Sequence, residues 1–89
     1  MKPITIKVNR PKNIQAALAY AKTEAANHQI TCTLHENHGN GSGHGFSGHY
    51  AIHPNYIEIT VTSKPLWVTA ATVEKKIREY CNDYLRREI

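Results

Sequence analysis

Histidine is the most concentrated of the residue types in this chain that can do chemistry. Five of its six histidines lie between residues 35 and 53. Imidazole is a common ligand of zinc, copper and nickel, so the concentration suggests a metal site. The candidate ligands are His35, His49 and His53, with Glu58 as a carboxylate from a neighbouring strand.

The spacing of these histidines limits what they can hold. His49 and His53 point the same way along a strand, but a rise of over 3 Å per residue puts them about 13 Å apart, too far for one ion. His35-Glu-Asn-His38 differs from the zinc-protease motif, which places two histidines four residues apart on a helix. The chain also lacks a Cys-x-x-Cys pair. A metal site is therefore the third of three functional interpretations, and no cofactor is predicted.

Residues for catalysis and nucleotide binding are few. Asp83 is the only aspartate and belongs to the predicted exposed face of a helix, so a Ser-His-Asp set is not easily assembled. Cys32 is predicted to point inward, whereas the histidines of its own and neighbouring strands point outward. Residues 43–48 spell G-x-G-x-x-G, but they lead into a strand, whereas the dinucleotide fingerprint opens a helix. We therefore predict that the protein is not an enzyme.

Three large apolar residues, Leu66-Trp67-Val68, follow Pro65 in a predicted loop. They have two interpretations. Leu66 and Trp67 are candidate partner-binding residues, since exposed apolar side chains mark docking sites. The preferred structural alternative is that Trp67 caps the open end of the core, because a small domain needs every large side chain.

The hydrophobic pattern predicts four strands and two helices. Apolar residues alternate with polar ones over residues 3–9, 29–36, 46–52 and 56–62, as half-buried strands require. Apolar residues three and four apart predict helices over residues 11–27 and from Thr69 or Thr72 toward the C-terminus. Residues 37–45 contain four glycines and no apolar residue, which predicts a mobile hairpin loop.

These elements predict a single α+β domain covering residues 1–89, in the order β-α-β-β-β-α. Strands joined by short connections form an antiparallel meander, and the N-terminal strand joins it after a helical crossover. Both helices then pack on one face of the sheet. The other face is open to water and carries Thr31, Thr33, His35, His49, Ala51, His53, Glu58, Thr60 and Thr62.

Length and composition set further expectations. A chain of 89 residues buries only about 60% of its unfolded surface, so its core is thin, and a homodimer is a possible remedy that nothing in the sequence demands. No apolar run approaches the roughly 18 residues of a membrane span, and the N-terminus alternates instead of forming a signal-peptide core. We predict a cytoplasmic protein in which Cys32 and Cys81 are free, buried thiols.

The formal charge of +4 is unevenly distributed. Lys2, Lys7, Arg10 and Lys12 all precede the first acidic residue, Glu24. A basic N-terminal third can attract phosphates, so these four residues are the candidates for an alternative function in nucleic-acid binding. No aromatic residues interleave with them, which favours a role in solubility.

Three segments resemble the polyhydroxyalkanoic acid system protein family: residues 6–11 (Ile-Lys-Val-Asn-Arg-Pro), residues 46–66 and residues 71–80. Members are short bacterial proteins with an I-x-V-x-R-P strand and helix, a G-x-[YI]-x-[IV] strand, an alternating strand, an apolar loop and a helix rich in I-E-x-x-I-R. The resemblance implies a bacterial cytoplasmic protein linked to storage-granule genes, and it supplies no catalytic residues. Residues 37–45 depart from the family, which has an ordinary hairpin there.

The element order also resembles that of the double-stranded RNA-binding domain. That family opens its last helix with a basic Lys-Lys-x-Ala-Lys segment that grips phosphates. This chain has Val-Thr-Ala-Ala-Thr-Val-Glu over residues 68–74, so the resemblance is one of order alone. The leading prediction is therefore a small non-enzymatic protein that acts through surface contacts with a protein partner or a granule surface.

Overall fold

The fold, a computed structural model that describes residues 2–87, is of the α+β class with one antiparallel sheet and two helices, as predicted. The elements in chain order are β1 Ile4–Asn9, α1 Ile14–Asn27, β2 Thr31–Leu34, β3 His38–Gly43, β4 Phe46–Ile52, β5 Tyr56–Ser63 and α2 Ala70–Arg87.

The sheet has the strand order β1-β5-β4-β3-β2, and every neighbouring pair is antiparallel. Helix α1 carries the chain from β1 at one edge to β2 at the other. Three short connections then bring the chain back across the sheet until β5 pairs with β1. Ile6 lies opposite Ile59 and Val8 opposite Ile57, so the apolar positions of these strands share one face.

Both helices lie over this apolar face, which we call the inner face. Helix α2 contacts β1, and α1 contacts β2. Arg78 of α2 stabilises the contact between α2 and β1 by donating a hydrogen bond to the carbonyl of Lys7 at 2.9 Å. The buried hydrophobic residues cluster where α2 meets β1 and β5; they are Ile6, Val8, Val61 and Val73, and Ile6 is completely buried.

The prediction of a mobile loop over residues 37–45 was wrong, because His38–Gly43 form strand β3 in the middle of the meander. Its glycines alternate with polar residues, so Gly39, Gly41 and Gly43 all fall on the inner face. Only His44 and Gly45, both with positive φ, turn the chain into β4. This two-residue turn has the backbone twist that tight hairpins favour. Strands are predicted from apolar residues that alternate with polar ones. In β3 glycine takes the place of the apolar residues, so the alternation is present but the hydrophobic signal is missing.

The helix ends depend on local capping. Helix α1 begins at Ile14, later than the predicted residue 11, because the Asn13 side chain accepts a hydrogen bond from the Ala16 amide at 3.0 Å. It ends where Gln29 adopts φ +60° and the Ile30 amide bonds to the Ala25 carbonyl at 2.8 Å. Thr69 caps α2, accepting from the Thr72 amide at 3.1 Å.

Candidate functional site

The loop between β5 and α2 carries the most exposed large apolar side chains. Leu66 is 96% and Trp67 86% exposed, so the preferred prediction that Trp67 caps the core was wrong. The residues that flank Leu66 and Trp67 are nevertheless fixed by contacts. The Val68 amide bonds to the Pro65 carbonyl at 3.2 Å, and the Pro65 ring lies against Gly45 of the β3–β4 turn. Leu66 and Trp67 therefore project from a braced loop at one end of the sheet.

The predicted metal ligands are spread over the sheet: His49 and Glu58 lie on the outer face by their register, and His35 and His53 lie in the connections after β2 and β4. His35 pairs with His38, their ring centroids 4.9 Å apart. His49 lies opposite Asn40 and Thr60 in the neighbouring strands. His53 stacks on Tyr56 at 4.5 Å in the β4–β5 connection.

Glu58 lies opposite Ala51 and Lys7, so no histidine stands directly across from it. Within residues 2–87, no three His, Cys, Asp or Glu side chains come close enough together to hold a metal ion. The structure thus gives no support to the histidine metal site.

The two cysteines are free and lie on the inner side of the molecule. Cys32 faces Gly41 on the inner face, opposite to the side that His49 occupies, as the alternation predicted. Burial raises the pKa of the Cys81 thiol, and the nearby Arg78 guanidinium offsets this only in part. A raised pKa disfavours the thiolate, so Cys81 behaves as a small apolar residue of the helix.

The basic residues of the N-terminal third are exposed but dispersed. Lys2 and Arg10 flank the ends of β1, about 25 Å apart at the rise of a strand. Lys7 projects from the outer face over the Tyr56 ring, with its Nζ 5.2 Å from the ring centroid. Lys12 belongs to the segment before α1. These cations do not form one compact patch, and nucleic-acid binding stays a prediction.

An apolar groove between the helices and the sheet was missed by sequence reasoning. It has a volume of about 780 Å³ and is lined from one side by the inner face of the sheet and from the other by both helices. The helices approach each other through aromatic contacts at its far side, where the Tyr20 ring lies 5.1 Å from the Tyr84 ring and 6.4 Å from the Tyr80 ring.

Small side chains on both walls explain why the groove is open. Gly41 lies directly opposite Gly48, so the sheet presents bare backbone at that point. The facing stripe of α1 is alanine at Ala17, Ala21 and Ala25. The alternating glycines of residues 39–43 and the alanines of α1 are the sequence signal that would have indicated this groove.

Comparisons with known proteins add no assignment. No family model, curated protein or solved structure matches this chain. Within the described residues, no helix has the length and apolar character needed to cross a membrane. The residues of the molecule itself are therefore the basis for the function argued below.

Proposed function

We propose that the chain is a non-enzymatic protein that contacts the apolar surface of a storage granule through Leu66 and Trp67. The observation that carries this proposal is the exposure of these two adjacent side chains, 96% and 86%, on a braced loop. Burial of a large apolar side chain is favourable by about 1.5–3 kcal/mol. The pair therefore gains free energy on any apolar surface it reaches. The family resemblance of the sequence supplies the granule as the specific surface.

A soft apolar surface suits this loop better than a folded protein partner. A stable protein–protein interface buries about 800 Å² on each partner and needs complementary shape. Two side chains at a loop tip provide only a fraction of that area, whereas insertion into a deformable surface needs no matching shape. Tryptophan is also well suited to a boundary between an apolar phase and water, because its ring is apolar and its N–H remains a donor.

The expected affinity of a single loop is weak. Burial of both side chains supplies about 3–6 kcal/mol, and once the cost of association is subtracted the binding falls in the millimolar range or weaker. A granule offers many equivalent places on its surface, so even weak attachment concentrates the protein there. The net charge of +4 adds attraction where such a surface carries anionic groups.

Co-sedimentation with amorphous polyhydroxybutyrate particles tests the proposal. The wild-type protein should sediment with the particles, and the emission of Trp67, the only tryptophan, should shift to the blue as its ring leaves water. Leu66→Ser should weaken both signals, and Trp67→Ser should weaken sedimentation. Asn55→Ser, an exposed position in the turn at the other end of the sheet, is the control and should behave as wild type.

Two results would overturn the proposal. One is sedimentation that Leu66→Ser and Trp67→Ser leave unchanged, because attachment would then depend on another surface. The other is absence of sedimentation with polyester particles while the same two side chains direct binding to anionic phospholipid vesicles, which would assign the loop to a membrane surface instead.

A further inference from the structure

The groove between the helices and the sheet is larger than packing defects in a protein interior. Interiors are close-packed, and voids bigger than a water molecule are few. Here about 780 Å³ remains open, a volume typical of a ligand-binding cavity. Among the described residues, no side chain of α1 is buried and only Val73 of α2 is. The inner apolar surface is therefore incompletely covered by the chain itself.

The position of the groove restricts what can fill it. The sheet forms its floor and the two helices form its roof, so it is a slot between layers. A flat surface of a second copy cannot enter such a slot without displacing a helix, whereas a narrow flexible chain can. The slot lies along much of α1, from Ile14 to His28, which is about 20 Å at the rise of a helix.

The charge of the lining indicates the chemistry of the occupant. Among the described residues that line the groove, Lys76 is the only lysine or arginine, and none is aspartate or glutamate. Lys76 is exposed and lies one turn after Thr72, which also lines the groove. A long apolar slot with one cation at its solvent edge matches a single alkyl chain that ends in an anionic group.

We propose that this groove binds a long-chain fatty carboxylate, with its alkyl chain between the helices and the sheet and its carboxylate at Lys76. The glycine pair Gly41 and Gly48 gives the chain room to lie against the sheet backbone. This proposal does not depend on the granule surface, because Leu66 and Trp67 are not among the residues that line the groove.

Calorimetric titration with decanoate and dodecanoate, each below the concentration at which it forms micelles, tests the proposal. Binding should be saturable with one site, and the longer chain should bind about tenfold more tightly, because each buried methylene contributes about 0.8 kcal/mol. Dodecanol should bind more weakly than dodecanoate to the wild-type protein. Lys76→Gln should weaken dodecanoate binding about threefold and leave dodecanol unchanged, whereas Lys75→Gln should alter neither.

A filled groove provides the sharper control. A Cβ at Gly41 would lie 3.6 Å from its nearest neighbours, so Gly41→Val fits the strand and projects into the groove. It should weaken dodecanoate binding by more than about tenfold, since it displaces several methylenes. Ala51→Val adds comparable bulk to the outer face of the neighbouring strand β4, at a residue that does not line the groove, and should bind as wild type. Ala21→Leu fills the groove from the opposite wall and serves as the test if Gly41→Val does not fold. Its matched control is Ala19→Leu, at an exposed position of α1 that does not line the groove.

Bound ligand should also slow the modification of Cys81 by a thiol reagent, because Cys81 lines the groove.

The proposal is overturned if no carboxylate binds saturably, or if folded Gly41→Val and Ala21→Leu both bind dodecanoate as tightly as wild type. It is also overturned if the wild type binds no acid but forms a dimer that Gly41→Val dissociates, since a second copy would then fill the groove. Trp67→Ser should leave dodecanoate binding intact, which separates this test from that of the granule proposal.

Discussion

Gln29 shows how one residue can hold a conformation that its side chain disfavours. It follows α1 with φ +60°, in the left-handed region where glycine is usual, because the helix ends there in a pair of hydrogen bonds to Ala25 and Ala26. For a residue with a Cβ this conformation costs about 1–2 kcal/mol. The tertiary path from α1 into β2 therefore maintains a local strain.

We expect Gln29→Gly to raise the free energy of unfolding by about 0.5–1 kcal/mol, because relief of the strain exceeds the added entropy of the unfolded chain. Gln15→Gly, at an exposed position inside α1, should lower it by about 1 kcal/mol. Urea denaturation of the three proteins measures both changes. A loss of stability in Gln29→Gly would show that its backbone conformation is not strained.

Tyr50 is a second residue whose role depends on its neighbours. Its ring packs where a side chain at the cross-strand residue Gly39 would otherwise lie, and its hydroxyl donates to the His35 carbonyl at 3.0 Å. An aromatic side chain over a glycine on the adjacent strand compensates for the glycine's missing contacts. Tyr50 thus helps to keep a glycine-rich strand within the sheet.

At the scale of elements, β3 is the segment whose structure departs most from its composition. Glycine weakens a strand because it loses much backbone entropy and has no side chain to pack. Strand β3 is nevertheless flanked by β2 and β4, so its backbone groups have partners on both sides. Non-local hydrogen bonding therefore outweighs an unfavourable local preference.

Hydrogen exchange tests this account of β3. Amides of residues 39–43 should be protected nearly as well as those of β4, because exchange there requires the sheet to open. Amides of Leu66 and Trp67, on the exposed loop, serve as the fast-exchanging reference within the same molecule. Exchange of residues 39–43 at the rate of that loop would contradict the strand.

At the scale of the whole molecule, three raised pKa values make stability depend on pH in the alkaline range. Burial is the main cause for Tyr50, Tyr80 and Cys81, and hydrogen bonds with Tyr20 and Glu24 add to the increase in the pKa of Tyr80. Each group is neutral when protonated, so folding favours the protonated form. The unfolded chain loses these protons first, near the ordinary pKa values of 9.0 for cysteine and 10.0 for tyrosine.

We therefore expect stability from these groups to be fully present below about pH 8 and to decrease as pH rises through about 9 to 11. Urea unfolding followed across that range should show a falling midpoint. Tyr50→Phe removes one of the ionising groups and should make the decline shallower. A midpoint that stays constant up to about pH 11 would show that the three groups titrate alike in the folded and unfolded chains.

The whole molecule also explains how an apolar groove arises in a chain of ordinary composition. Only four hydrophobic residues in the described part of the chain are buried, and they lie where α2 meets β1 and β5. On the other half of the sheet, alanines of α1 face glycines of β3, so the two layers meet without filling the space between them. Stability is thus concentrated on one side, and the other side is left able to accept a ligand.

Periodic apolar residues are enough to predict the α+β class, the four apolar strands and the two helices, because such residues must share a face wherever one side of an element is buried. The same alternation predicts that Cys32 of β2 and His49 of β4 point to opposite sides of the sheet. Three features follow from tertiary contacts instead: Trp67 stands in solvent, β3 is a strand and a groove separates the layers. Each of these depends on which residues from distant parts of the chain face one another. The glycines of β3 and the alanines of α1 show in the sequence where small side chains lie, but only the fold places them opposite each other.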